Sequence, residues 1–155
     1  MNFTNKTAVF LATGGYVGHI PLAPGTFGSL IGLPLCFLLA KIQLSAAIIA
    51  VLLIIALAIW ISNVAERTLE RKDPGCIVID EIAGMVVTLI GLPFNLTTAT
   101  IGFILFRILD ILKPFPIRIL DKRLPGGLGI VADDVVAGIF ANVLIRIFAV
   151  YLDIY

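Results

Sequence analysis

The stretch "LSAAIIAVLLIIALAIWI" (residues 44–61) holds eighteen residues without one charge. A run of that length and composition is close to the roughly 20 apolar residues a spanning helix needs. The rest of the chain carries the same bias. Of its 155 residues, 60% are hydrophobic and 14% charged, with mean hydropathy +1.12. A soluble domain is nearer 45–50% apolar and about 25% charged. The excess is too large for an ordinary core and points to an integral membrane protein.

Four more apolar segments flank that run, at roughly 26–40, 77–92, 97–112 and 134–152. Residues 7–18 form a weaker sixth piece, read as an interfacial or re-entrant helix. No internal repeat and no linker divides the chain. The expected architecture is therefore an all-α, polytopic helix bundle of about five spans, in one membrane-embedded domain over residues 1–155. The N-terminus lacks a small-residue cleavage site and is not read as a signal peptide.

The connections alternate. Residues 41–43 and 93–96 are short and nearly uncharged, whereas 62–76 and 113–133 hold most of the charge. Lys6, Arg67, Arg71, Lys72, Lys113, Arg118, Lys122 and Arg123 then share one face, and Lys41 alone clearly takes the other. Basic loops stay in the cytoplasm, so the charged face is expected to be cytoplasmic. Pro114, Pro116 and Pro125 with Gly126, Gly127 and Gly129 argue against a continuous helix in the second long loop.

The acids fall on that same face. Asp80 and Glu81 open the third segment, Asp110 closes the fourth, and Asp133 and Asp134 stand at the mouth of the fifth. Asp80, Glu81, Asp133 and Asp134 also suit helix starts, where the dipole favours anions. Asp110 sits at a helix end, where the dipole disfavours it, with Arg107 one turn earlier. Ionisable groups at membrane depth are costly, and they mark function by default. Carboxylates gathered from separate pieces of chain repel one another unless a cation compensates. A hard divalent ion such as Mg²⁺, commonly shared with substrate phosphate, fits. Arg107, Lys113 and Arg118 suit phosphate oxygens. Gly25, Thr26 and Ser29, opening the first segment, offer N–H groups and hydroxyls to an anion or form a plain helix start. Metal, phosphate grip and location together suggest chemistry on a lipid phosphate.

Other residues carry less. His19, the only histidine, is either a proton donor or a structural hydrogen-bonder. Arg146 snorkels or pairs within the bundle. Glu66, Arg67, Glu70, Arg71 and Lys72 read as a solvated, mutually paired helix surface. Cys36 and Cys76 have no metal-type spacing.

Three blocks carry a resemblance. "PLAPGTFGSL", "VIDEIAGMVVTL" and "FRILDILKPFPIRILDKRLPGGLGIVADDVVAG" resemble, in order, the signature blocks of the phosphatidylglycerophosphatase A family over about half the chain. The resemblance implies a Mg²⁺-dependent phosphatase of the bacterial inner (cytoplasmic) membrane. Its implied substrate is phosphatidylglycerophosphate, its product phosphatidylglycerol, and its active site faces the cytoplasm. It implies acidic metal positions at Asp80, Glu81, Asp110, Asp133 and Asp134, of which Asp80, Glu81, Asp110 and Asp134 are the expected catalytic residues, with basic and glycine-rich substrate positions at Arg107, Lys113, Gly25 and Thr26. The rival is a small cation- or proton-coupled transporter, but these acids gather at one face rather than along a path. A P-loop is absent, and no basic stripe with interleaved aromatics suggests nucleic acid.

Overall fold

The structure, a computed structural model, describes residues 3–152; the side chains of residues 121, 122 and 150–152 lie outside the description, Lys122 among them. Among the described residues the chain is all helical, without strands. The helices are α1 (Phe3–Ala12), α2 (Pro24–Leu39), α3 (Leu44–Leu69), α4 (Ile79–Leu89), α5 (Leu96–Leu112), α6 (Ile117–Arg123) and α7 (Gly126–Leu152). A 3₁₀ turn at Val17–His19 joins α1 to α2.

Two helices, α3 and α7, are long and apolar enough to cross a membrane, and they point to membrane association. In α3 only 22% of the most apolar window is buried inside the protein. Ile49, Leu52, Leu53, Leu57 and Trp60 stand exposed along it, an apolar face of the kind that marks a membrane or protein contact. The segments expected at 26–40, 77–92 and 97–112 appear as α2, α4 and α5, which are shorter, so among the described residues two helices rather than five have the length and composition of a span.

Two expectations are corrected. The connection at 62–76 is largely helix, because α3 continues through its charged end to Leu69. The long loop at 113–133 holds α6 and the first two turns of α7. The glycines there act through close approach rather than as breakers. A Cβ on Gly127 would lie 2.1 Å from the Ile59 carbonyl oxygen of α3. Only glycine lets α7 begin against α3 at that separation. Asp133 and Asp134 are therefore interior residues of α7, not caps at its mouth.

Short α4 sits at the centre, packed on α7, α2, α3 and α5. Every residue from Ile82 to Leu89 is buried, as expected of a helix apolar all round. It runs parallel to α7. A Cβ on Gly138 would lie 2.5 Å from the Gly84 carbonyl oxygen, and Asn142 reaches the carbonyls that end α4. It runs antiparallel to α5, whose Phe106 ring abuts Gly84 and whose Gly102 lies against Leu89. It runs parallel to α2, with Gly28 against Val78 and Gly32 against Met85. That register sets Asp80 and Glu81, the end of α5, the start of α2 and the second turn of α7 at one level.

The opposite end is closed by polar contacts. The Asn142 amide donates to the Thr88 and Ile90 carbonyls at 2.9 and 3.0 Å. Arg146 donates to Asn142 Oδ1 at 2.8 Å and to the Ile90 and Gly91 carbonyls at 3.1 Å. A cation thus sits on the negative end of α4, and Arg146 pairs within the bundle rather than snorkelling.

Candidate active site

Where these helices meet, a cavity of about 520 Å³ is lined by Asp80, Glu81, Asp110, Lys113, Asp133 and Asp134. The carboxylates form two groups. Asp80, Glu81 and Asp134 each offer an oxygen within 4.8 Å of the others, and so do Asp110, Asp133 and Asp134. Asp134 belongs to both.

Each acid reaches the cluster for a local reason. Asp80 and Glu81 occupy the first turn of α4, at its positive end. Asp110, near the negative end of α5, is compensated by Arg107 one turn earlier, whose Nη1 donates to Asp110 Oδ2 at 2.7 Å. The same nitrogen lies 3.9 Å from Glu81 Oε1. Lys113, in the left-handed conformation that ends α5, donates to Asp133 Oδ2.

Around this inner cluster five carboxylates face the two cations Arg107 and Lys113, an excess of three negative charges if all are ionised. Two like charges 4 Å apart repel by about 4 kcal/mol at an effective dielectric near 20. Among the described residues, Asp80 Oδ1, Glu81 Oε2 and Asp134 Oδ2 are buried without a hydrogen-bond donor. Orphaned acceptors of that kind carry a full desolvation cost. An all-oxygen donor set with unspent charge fits a hard divalent cation. The donors present therefore match the group that the sequence implies.

The remaining candidates divide. Gly25 lies in the first turn of α2, against Glu81 and Arg107; a Cβ there would sit 2.1 Å from Glu81 Oε1 and 2.9 Å from Arg107 Nη1. Its visible contribution is clearance for those two side chains. Thr26 is half-buried beside it, and its backbone N–H is spent on the Ala23 carbonyl at 3.0 Å. Ser29 is fully buried, and its hydroxyl donates to the Gly25 carbonyl at 2.8 Å. It does not reach the cavity, because a helical serine can satisfy itself on the preceding turn. Arg118 lines a neighbouring groove, not the carboxylate cavity. His19 is exposed against the Tyr16 ring and does not line the carboxylate cavity.

Sequence reasoning missed part of the wall. Glu66, Lys72 and Asp73 line the cavity, although 66–72 reads as solvated surface. Glu66 Oε1 accepts the Asp73 N–H at 3.2 Å and ties the connection after α3 back to that helix where both line the cavity. Their charge pattern resembles that of any exposed helix end, so no local signal separated them.

The family model for phosphatidylglycerophosphatase A matches residues 10–149. The chain belongs to the phosphatidylglycerophosphatase A family. Over 132 residues it is 39% identical to phosphatidylglycerophosphatase A of Escherichia coli (strain K12), covering 84% of this chain and 77% of that one. It is also 39% identical over 137 residues to phosphatidylglycerophosphatase A of Haemophilus influenzae, covering 87% and 84%. A Bacteroides thetaiotaomicron relative with the provisional name phosphatidylinositol-3-phosphatase is 35% identical over 147 residues, covering 90% and 91%. No solved structure matches. Membership makes the chain a phosphatase of phospholipid metabolism, and it disfavours the transporter reading.

Proposed function

We propose that the protein removes the terminal phosphate of phosphatidylglycerophosphate and releases phosphatidylglycerol, with Mg²⁺ held by its carboxylates, at the cytoplasmic face of the bacterial inner membrane. The observation that carries this reading is the pair of carboxylate groups sharing Asp134, in a phosphatase of this family. The apolar surfaces of α2, α3, α5 and α7 support a multi-pass arrangement in which α4 is shielded by its neighbours. The relatives named phosphatidylglycerophosphatase A support the substrate.

The lipid keeps its tails in the bilayer and presents its phosphomonoester to the cavity. Asp80, Glu81, Asp110, Asp133 and Asp134 would hold the cation. When bound, Mg²⁺ neutralises and polarises the phosphoryl oxygens. Arg107 and Lys113 meet the charge that spreads over those oxygens in the loose transition state. Arg107 retains an unpartnered, buried Nε–H for that purpose. A carboxylate among Asp80, Glu81, Asp110 and Asp134 takes a proton from the attacking water. That proton passes to the glycerol oxygen as its bond to phosphorus breaks, so the step balances. Attack by a carboxylate itself is the competing route. Acid-quench trapping of a phosphorylated protein during a single turnover separates the two, as does the configuration at phosphorus, which direct water attack inverts and the covalent route retains.

Purified protein in detergent micelles should release phosphate from phosphatidylglycerophosphate with Mg²⁺ and cease with chelator. Replacing Glu81 with alanine should remove turnover while the helix content persists. Turnover that survives chelation overturns the metal assignment. Preferential hydrolysis of phosphatidylinositol 3-phosphate overturns the head-group assignment.

A further inference from the structure

A second cavity, about 560 Å³, opens beside the carboxylate cavity at the elbow between α5 and α6, and Lys113 lines both. Leu112, Phe115 and Ile119 line it with apolar surface, while Lys113, Arg118 and Arg123 supply charge. Leu112 is 72% and Phe115 83% exposed, and neighbouring Ile111 is 68% exposed. Three large apolar side chains so exposed at one elbow are stable where acyl chains cover them. Among the described residues, neither Arg118 nor Arg123 has a carboxylate partner. Guanidinium groups at the edge of an apolar groove complement an anionic head group whose chain lies in that groove.

We propose that this groove seats the phosphodiester and the adjoining acyl chain of the same lipid whose phosphomonoester enters the carboxylate cavity. Arg118 and Arg123 grip the diester, and Lys113 stands between the two phosphates. This rests on the lipid-phosphatase reading above. Substrate choice then has two parts: the carboxylate cavity takes the phosphomonoester, and the groove selects a monoester attached to a diacyl phosphodiester. The groove also gives Arg118, which the carboxylate cavity excludes, a role in binding.

The test uses the full chain in neutral detergent and the Arg118→Ala/Arg123→Ala double variant, with Arg67→Ala/Arg71→Ala as the charge-matched control. The first arm titrates phosphatidylglycerol, which carries the diester and chains but no phosphomonoester and cannot be turned over. Affinity should fall about tenfold in the groove variant and less than about twofold in the control, the scale of two part-exposed charged contacts. The second arm compares kcat/KM on phosphatidylglycerophosphate with that on glycerol 3-phosphate. The lipid-to-soluble ratio should fall about tenfold, through KM. Unchanged phosphatidylglycerol affinity overturns the proposal. So does an equal loss on both substrates, which would place the arginines on the phosphomonoester. If the parent protein fails to hydrolyse phosphatidylglycerophosphate, the functional reading fails, and the phosphatidylglycerol arm still decides the groove.

Discussion

Replacing Gly25 with alanine tests how tightly the start of α2 is fitted to the acids of α4. The added Cβ would stand 2.1 Å from Glu81 Oε1 and about 3 Å from both terminal nitrogens of Arg107. To regain ordinary contact near 3.4 Å, the Glu81 carboxylate must retreat by about 1.3 Å. Both obstacles are ends of flexible side chains, so the backbone need not move. Overpacking costs of about 1–3 kcal/mol are offset by up to about 1 kcal/mol of helix propensity gained over glycine. Net stability should change by less than about 2 kcal/mol. Activity should change far more, because a displacement of about 1 Å in a reacting constellation costs on the order of 100-fold. The assay is kcat/KM on phosphatidylglycerophosphate in mixed micelles beside a thermal melt of the same preparation. Activity of Gly25→Ala within about threefold of the parent would refute the reasoning, because the Glu81 position would then not matter at that scale.

Two further changes separate the roles of the helices. Gly138→Ala puts a Cβ 2.5 Å from the Gly84 carbonyl oxygen, a backbone atom that cannot swing aside. It should cost about 1–3 kcal/mol in a denaturation series, and activity should fall as well, because α4 and α7 carry the acids apart. Asn142→Leu removes the donor to the Thr88 and Ile90 carbonyls and the acceptor for Arg146. At the modest strength of hydrogen bonds within membrane bundles it should destabilise by about 2 kcal/mol, with turnover per folded molecule retained.

The gathering of the acids was legible in the sequence because it rests on coarse quantities. Apolar run length sets helix order, and alternation of direction sends residues near 80, 110 and 134 to one level. Fine register was not legible. Gly126, Gly127 and Gly129 have a loop's composition, yet here Gly126 and Gly127 let α7 begin against α3 and Gly129 clears the Leu124 carbonyl, which moves Asp133 and Asp134 from a cap position into the helix. Ser29 has the right residue type beside Gly25, but its hydroxyl turns back onto its own helix. Nor does any pattern in 66–73 reveal that Glu66 holds the following connection and that both line the cavity. In each case the deciding contact joins residues distant in sequence or depends on a rotamer, neither of which periodicity encodes.

The chemistry reduces to whether side chains from α4, α5 and α7 share a divalent ion. Electron paramagnetic resonance of Mn²⁺ added to the purified chain reads this directly, without substrate. The parent protein should bind Mn²⁺ in competition with Mg²⁺, and Asp134→Asn, which removes the carboxylate common to both groups, should lower that affinity at least about 100-fold. An Asp134→Asn chain that binds Mn²⁺ as tightly as the parent contradicts the shared site.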